Sequence, residues 1–245
     1  MNIALIGYGK MGREIEQIAL ERGHTILFKI DVDNKDVLTA EEFKQVDVAI
    51  EFTSPHSAVD NVKVCLAAGV PVVIGSTGWY NQLPEVKKYC EEHTGGMFYA
   101  SNFSLGVNLF FELNKKLAQL MANAEGYEVG MLEVHHTQKV DAPSGTAITL
   151  AEGLFENYPR KTKWVSQVAD QPTEELLGEE VLPILSLRKD PAPGTHMVEY
   201  RSASDRIVIT HEAFNRRGFA TGAVLAAEYL QGKKGIYTMA DLLKL

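Results

Sequence analysis

Along the first hundred residues the hydrophobic positions repeat one order: a short run of β formers, a turn, then apolar residues at helical spacing. Asn2 to Ile6 is the first run; Gly7 stops it, and Met11, Ile15, Ile18 and Ala19 follow on one helical face. A second run, Thr25 to Ile30, ends at Asp31, and a third, Val46 to Phe52, ends at Thr53-Ser54-Pro55. Val62, Cys65, Leu66 and Ala67 then mark a helix, Val70 to Ile74 a strand that runs into Gly75-Ser76-Thr77, Val86 to Glu92 a helix, and Met97 to Ala100 a fifth strand. Strands that alternate with helices predict a parallel sheet covered by helices.

The pattern changes after about residue 105. Leu109, Leu113, Leu117 and Leu120 give a long helix, Tyr127 to Val134 a strand, and Ala147, Leu150, Ala151 and Leu154 another helix beyond Pro143. The stretch from Tyr158 to Gly178 is polar and contains proline. Val181 to Leu187, Thr195 to Arg201 and Arg206 to Thr210 are strand-like, without helices between them. This predicts an antiparallel or mixed sheet and a second domain of α+β type. The tail is helical again through Ala223, Leu225, Ala226, Ala227 and Leu230, and is expected to return to cover the first sheet.

Composition narrows the function classes. The chain has 245 residues, 45% of them hydrophobic, and a formal net charge of −8. That suits one large or two modest globular domains and excludes a disordered chain. An acidic balance argues against a nucleic-acid or anionic-membrane partner, which requires a concentrated excess of Lys and Arg. Cys65 and Cys90 both lie in helical segments, without metal-ligand spacing, and are read as reduced thiols. No run has the roughly 18 apolar residues of a membrane span, and the N-terminus has no signal-peptide pattern, so a cytoplasmic location is expected.

Gly7-Tyr8-Gly9-Lys10-Met11-Gly12 matches G-x-G-x-x-G where the motif has physical meaning, directly after a strand and opening a helix. The first glycine permits the tight turn, the second lets a pyrophosphate approach the backbone, and the third lets helix and strand pack closely. The helix N-terminus offers N–H groups and a positive dipole end to the phosphates. Asp31, at the end of the second strand, can accept hydrogen bonds from the adenosine ribose. The predicted first domain is therefore Rossmann-like, with NADH as cofactor. Lys10, Lys29 and Lys35 lie near enough in sequence to receive the extra phosphate of NADPH, which leaves dual use open. In such a sheet the ligand sits beyond the strand ends. Phe52, Gly75, Ser76 and Thr77, and Ala100, Ser101, Asn102 and Phe103 should accordingly border the cofactor.

The most unusual passage runs from Glu133 to Ala147: Glu-Val-His-His-Thr-Gln-Lys-Val-Asp-Ala-Pro-Ser-Gly-Thr-Ala. Two adjacent histidines at a strand end, Lys139, and a Pro-Ser-Gly-Thr turn that opens a helix place cationic donors and a helix N-terminus in one loop. This suits a small anion with carboxylates. Adjacent histidines diverge on a strand, and no Cys or third His is near in sequence, so no metal is expected. Ser144 lacks the G-x-S-x-G elbow of a nucleophile and reads as a helix-start residue.

This passage closely resembles the signature of the 4-hydroxy-tetrahydrodipicolinate (dihydrodipicolinate) reductase family. The likeness extends over the Gly7 to Gly12 turn, Phe52 to Pro55, Gly75 to Thr77, Ser101 to Ser104, Ile209-Thr210-His211, Arg216, and Phe219 to Ala223. The resemblance implies reduction of a cyclic imine dicarboxylate with NADH or NADPH in diaminopimelate and lysine biosynthesis, and a homotetramer built through the second domain. It implies His135 as general acid/base and Lys139 as proton donor. His136, Ser144, Gly145 and Thr146 are implied as the substrate-carboxylate site, and Arg216 and Phe219 as neighbours of the nicotinamide. His135, His136, Lys139 and Arg216 would then concentrate positive charge within an acidic protein. The sequence departs from the family at Asp190, where a glycine is common, and the Arg188 to His196 segment is shorter.

The expected organisation is a dinucleotide-binding domain of residues 1–105 plus 216–245, with a substrate-binding and oligomerisation domain of residues 106–215 inserted. Two rivals share parts of the pattern. Another small-acid or imino-acid dehydrogenase would share the front half without needing the Glu133 to Ala147 loop. A non-catalytic NAD(H)-sensing protein would bind cofactor without turnover.

Overall fold

The computed structural model describes residues 1–39, 41–168 and 178–245. Two compact units emerge, Met1–Leu105 with Arg216–Leu245, and Gly106–Asn215.

Unit 1 is a parallel sheet between two layers. Its strands are β1 (Asn2–Ile6), β2 (Thr25–Ile30), β3 (Val48–Glu51), β4 (Val72–Ile74) and β5 (Gly96–Tyr99), with α1 (Lys10–Glu21), α2 (Pro55–Ala67) and α3 (Leu83–Glu92) between them. The described residues between β2 and β3 form two 3₁₀ segments, Val32–Thr39 and Glu41–Gln45. One layer packs Cys65, Leu66, Val62 and Val86 of α2 and α3 against Ala49, Val72 and Ile74. The other packs Ile15, Ile18 and Ala19 of α1, together with the tail, against Leu5, Ile50 and Val73.

The tail is α6 (Arg217–Leu230), preceded in chain order by the whole of unit 2, then the short strand β11 (Gly235–Tyr237) and α7 (Met239–Leu243). The expectation that the tail covers the first sheet holds, because Ala220, Ala223, Val224, Ala226 and Ala227 form one small-residue face within its core. At Gly222 a Cβ would lie 1.7 Å from the Phe103 carbonyl oxygen, so only glycine admits this approach of α6 to the end of β5. Sequence patterning missed β11, which pairs in parallel with β5 and completes the order β11-β5-β4-β3-β1-β2. Three residues are too few to show a period.

Unit 2 holds α4 (Leu105–Met121, which starts at the last residue of unit 1), β6 (Glu128–His135), α5 (Gly145–Phe155), β7 (Lys163–Val168), β8 (Val181–Arg188), β9 (Gly194–Arg201) and β10 (Arg206–Ala213). The sheet order is β10-β9-β6-β8-β7. It is mixed: β9 runs antiparallel to β6 and β10, whereas β8 runs parallel to β6 and β7. Within the polar stretch from Tyr158 to Gly178, to which the pattern assigned no element, lies β7. This edge strand carries Trp164, Val165 and Val168 among polar residues, so burial gives it no clear alternation. The part of that stretch from 169 to 177 lies outside the described residues. Phe110, Ala118 and Met121 of α4 and Leu150, Ala151 and Leu154 of α5 cover one face of the sheet, against Val129, Met131, Leu182, Ile184, Val198 and Tyr200.

Candidate active site

In unit 1 two adjoining clefts lie at the glycine turn. One, of about 310 Å³, is lined by Gly7, Tyr8, Gly9, Asp31, Val32, Lys35, Phe52, Thr53, Ser57 and Asn61 among others. The second, about 450 Å³, is lined by Gly9, Lys10, Met11, Phe52, Thr53, Pro55, Gly75, Ser76 and Thr77. The three glycines differ in what they exclude. A Cβ on Gly7, whose φ is +92°, would lie 2.1 Å from the Phe52 carbonyl oxygen, and one on Gly12 would lie 2.3 Å from the Gly7 carbonyl oxygen. A Cβ on Gly9 would meet nothing within 4 Å. The protein's own packing therefore gives no reason for glycine at position 9, whereas a ligand lying against the turn does.

Asp31 is fixed at the cleft by its own turn. Its Oδ2 accepts from the Tyr8 N–H at 3.3 Å and its Oδ1 from the Val32 N–H at 2.9 Å. Lys29 is drawn away to Glu16 at 2.6 Å and lies over the Tyr8 ring, which leaves Lys35 as the lysine lining the same cleft as Asp31. Phe52 covers Gly75, where a Cβ would fall 2.0 Å from the ring.

Ala100 and Phe103 are buried, and Phe103 packs against Phe52 and Phe98 at 5.8 Å between centroids. They shape the sheet end from within and, like Ser101 and Asn102, lie outside both clefts. Arg216 is exposed at the start of α6, and Phe219 is half-buried in its first turn. Sequence reasoning passed over Val32, Ser57 and Asn61. Their signal was position: Val32 follows the end of β2 directly, and Ser57 and Asn61 lie in the first two turns of α2, the helix that follows β3.

In unit 2 the sheet register assembles a polar cluster. On β6, Glu133 pairs with Ser186 of β8 and with His196 of β9, and His196 in turn pairs with His211 of β10. Two residues on, His135 pairs with Arg188. Paired residues share a face, so Ser186, Glu133, His196 and His211 form a row, and Glu133, His135 and His196 are buried. Glu133 accepts the Ser144 N–H at 3.0 Å, the Ser186 hydroxyl at 2.8 Å and an Arg188 N–H at 3.4 Å. Burial opposes its ionisation, but the hydrogen bonds from Ser144 and Ser186 hold its carboxyl below the usual range.

His135 Nδ1 lies 3.6 Å and His196 Nε2 3.7 Å from Glu133 Oε2. Burial holds His135 below its ordinary pKa even against Glu133, with Lys139 and Arg188 adding to the depression. Burial takes His196 down to about 4. His135 is therefore neutral near pH 7 and does not belong to a cationic cluster, which corrects the expectation from sequence. The charge that remains there belongs to Lys139 and Arg188.

The same three side chains offer ligand atoms within 4.8 Å of one another, a set that sequence spacing hid because His196 comes from another strand. A divalent ion could use these ligand types. Three donors already occupy the Glu133 carboxylate, however, and the Arg188 guanidinium sits among them, so the cluster is organised as a hydrogen-bond network.

Ser144 is the N-cap of α5. Its hydroxyl accepts from the Ala147 N–H at 3.2 Å and meets His196 Nε2 at 3.1 Å. That buried hydroxyl ties the α5 N-terminus to the row, while Gly145 stays exposed at the helix start, where a Cβ would meet nothing within 4 Å. Between them runs the loop with half-buried His136 and with Lys139, whose Nζ reaches both Asp141 oxygens at 2.8 Å. Arg188 holds this loop by donating to the carbonyls of Lys139 at 3.3 Å and Asp141 at 2.7 Å. Asp190 accepts the Thr137 hydroxyl and its N–H. The segment from Arg188 to Asp190 thus serves as a brace for the loop.

A dinucleotide-type sheet with an open glycine turn, together with a separate unit carrying a buried acid–imidazole row beside a lysine loop, is the make-up of an NAD(P)-dependent oxidoreductase. The comparisons make this particular. Residues 1–103 match the family model "Dihydrodipicolinate reductase, N-terminus" and residues 106–243 match "Dihydrodipicolinate reductase, C-terminus". The chain is 47% identical over 245 residues to the 4-hydroxy-tetrahydrodipicolinate reductase of Christiangramia forsetii, covering 99% of this chain and 98% of that one. It is 33% identical to the enzyme of the same name from Neisseria gonorrhoeae, over 94% of this chain and 84% of that one. The dipicolinate-bound dihydrodipicolinate reductase from Paenisporosarcina sp. TG-14 superposes with a TM-score of 0.72 at 25% identity, over 97% of each chain. The chain belongs to the dihydrodipicolinate reductase family, NAD(P)H-dependent oxidoreductases of diaminopimelate and lysine biosynthesis.

Proposed function

We propose that unit 1 binds the dinucleotide at the glycine turn and Asp31, and that unit 2 binds the cyclic imine dicarboxylate at the loop from His136 to Thr146. The observation that carries this is the brace around Lys139, since Arg188 and Asp190 order a loop whose cation pairs, among the described residues, with its neighbour Asp141. The 4-hydroxyl of the substrate leaves as water to give the conjugated imine, to which the reduced nicotinamide, when bound, would supply a hydride. Lys139 Nζ leaves Asp141 for the substrate and delivers the proton that quenches the charge formed there. An exposed ion pair is worth only about 0–1 kcal/mol, so the exchange costs little. His136 and the N-terminal N–H groups of α5 at Gly145 and Thr146 hold the carboxylates, with Ser144 fixing the helix start. His135, neutral and backed by Glu133, is the acid/base partner, and Arg216 and Phe219 serve the nicotinamide side.

NADH oxidation followed by absorbance with freshly prepared 4-hydroxy-tetrahydrodipicolinate tests the reading. Turnover is expected, and cofactor binding without turnover would favour the sensing protein. Two substitutions probe the parts. Asp31→Ser should raise kcat/KM for NADPH relative to NADH, with Lys35 left to meet the phosphate; an unchanged ratio removes Asp31 from the ribose site. Arg188→Met should lower kcat/KM for the imine by about tenfold, the equivalent of one net hydrogen bond to a charged group; an unchanged value means the brace is idle.

The protein is proposed to be a cytoplasmic homotetramer. Among the described residues, no helix is long and apolar enough to cross a membrane. On unit 2, half-buried Leu132, Val134, Leu185, Leu187 and Met197 alternate with the core positions and so occupy the sheet face away from α4 and α5. Such a face supports association through a second copy. Sedimentation as a monomer at micromolar concentration would overturn this.

A further inference from the structure

One buried carboxyl in unit 1 lies outside the residues considered so far. Glu51 ends β3 and is wholly inaccessible, as are Val48 and Ala49 of the same strand. A carboxyl costs several kcal/mol to bury where an aliphatic side chain costs nothing, so packing alone does not explain it. Its Oε1 accepts from the Thr53 N–H at 3.0 Å, from the Thr53 hydroxyl and from the Ser76 hydroxyl at 3.1 Å, whereas Oε2 has no hydrogen-bond partner among the described residues.

These donors belong to the turns after β3 and β4, which wall the clefts at the glycine turn: Thr53 lines both and Ser76 the second. The turns are also linked directly, since the Thr53 N–H donates to Ser76 Oγ at 2.8 Å. From Thr53 Oγ1 the chain of bonds continues to Ser57 at 2.9 Å and Asn61 at 3.3 Å, both lining the first cleft.

We propose that Glu51 is a positioning residue for the dinucleotide, gathering the two turns onto one oxygen and so setting the wall on which the cofactor rests. The inference relies on the dinucleotide occupying these clefts. Burial raises the Glu51 carboxyl above its usual range against the opposing hydrogen bonds. It equally raises the thiol of Cys65, the titratable neighbour from α2. All three donors need only an acceptor oxygen at this point, so the action of Glu51 is geometric. A neutral side chain of the same shape should replace it.

The test compares Glu51→Gln with Glu51→Leu in the full protein, reading NADH affinity by fluorescence and KM for NADH and imine separately. Glu51→Gln should behave as the wild type. Glu51→Leu should raise the Kd and KM for NADH about tenfold or more, equivalent to roughly 1.4 kcal/mol, with imine KM and kcat at saturating NADH unchanged. If the Leu variant does not fold, Glu51→Met, longer and more adaptable, is read for the same selective rise. An NADH KM at the wild-type value in the apolar variant, equal rises for both substrates, or failure of Gln to restore binding would each overturn the proposal. Asp31→Ser separates the two levels. If it alters NADH binding while Glu51→Leu does not, only the role of Glu51 falls; if neither does, the cleft itself is misassigned.

Discussion

Lys139→Met should lower kcat by about 10²–10⁴-fold, the range that a positioned proton donor contributes, while NADH affinity stays at the wild-type level. The separation is expected because Lys139 belongs to unit 2 and the glycine turn to unit 1. Its ammonium is held ready rather than buried: Asp141 binds it from two residues away, and the backbone on either side is fastened by Arg188 and Asp190. Methionine keeps most of the stem and its packing and removes only the charge and the proton. The imine KM should rise too, since the same cation attracts the carboxylates. Turnover by Lys139→Met at the wild-type rate would dismiss Lys139 as donor and return the role to His135.

The second large effect is acid instability centred on His196. Folding lowers its pKa from the ordinary 6.5 to about 4 through burial. Below 6.5 the unfolded chain takes up a proton that the folded chain refuses, so more protons are bound in the unfolded state and stability falls as pH falls. The contribution is fully present above pH 6.5 and is lost progressively down to about 4, with of order 3 kcal/mol at stake. Burial holds His135 and His211 down in the same direction. Urea midpoints of the full chain should therefore drop between pH 7 and 4.5, and His196→Gln should flatten part of that slope even though it lowers stability at neutral pH. Equal slopes in the two proteins would mean that His196 is not the group titrating.

The glycine turn, Asp31 and the loop from Glu133 to Ala147 could be read in the sequence because each is local: a motif, a strand end, a contiguous signature. The alternation through β5 could be read for the same reason, since buried parallel strands are continuous apolar runs. The row on β8, β6, β9 and β10 could not, as Glu133 and His196 meet only through strand register. A trace of it was there. Glu133 follows Val129 and Met131 at period two, and His196 precedes Val198 and Tyr200, all of them buried. A charged or imidazole group at an inward position of a strand therefore signalled a partner on the neighbouring strand. Glu51 was masked by its place at the end of a strand, where a polar residue passes for the start of a turn. The neutrality of His135 depends on burial, which no local pattern reports.

The order of the chain has a consequence for its birth. The α6 layer and β11, which complete unit 1, are encoded after the whole of unit 2. At about 5–20 residues per second, a ribosome that has finished β5 needs several seconds more before α6 emerges. During that interval α1 stands alone on this face, and Ile50, Val73 and Phe98 of β3, β4 and β5 lack the α6 layer. The guest segment can complete its own core while its host waits with an open hydrophobic flank. In a living cell this makes the nascent amino-terminal half the part of the molecule most in need of a chaperone.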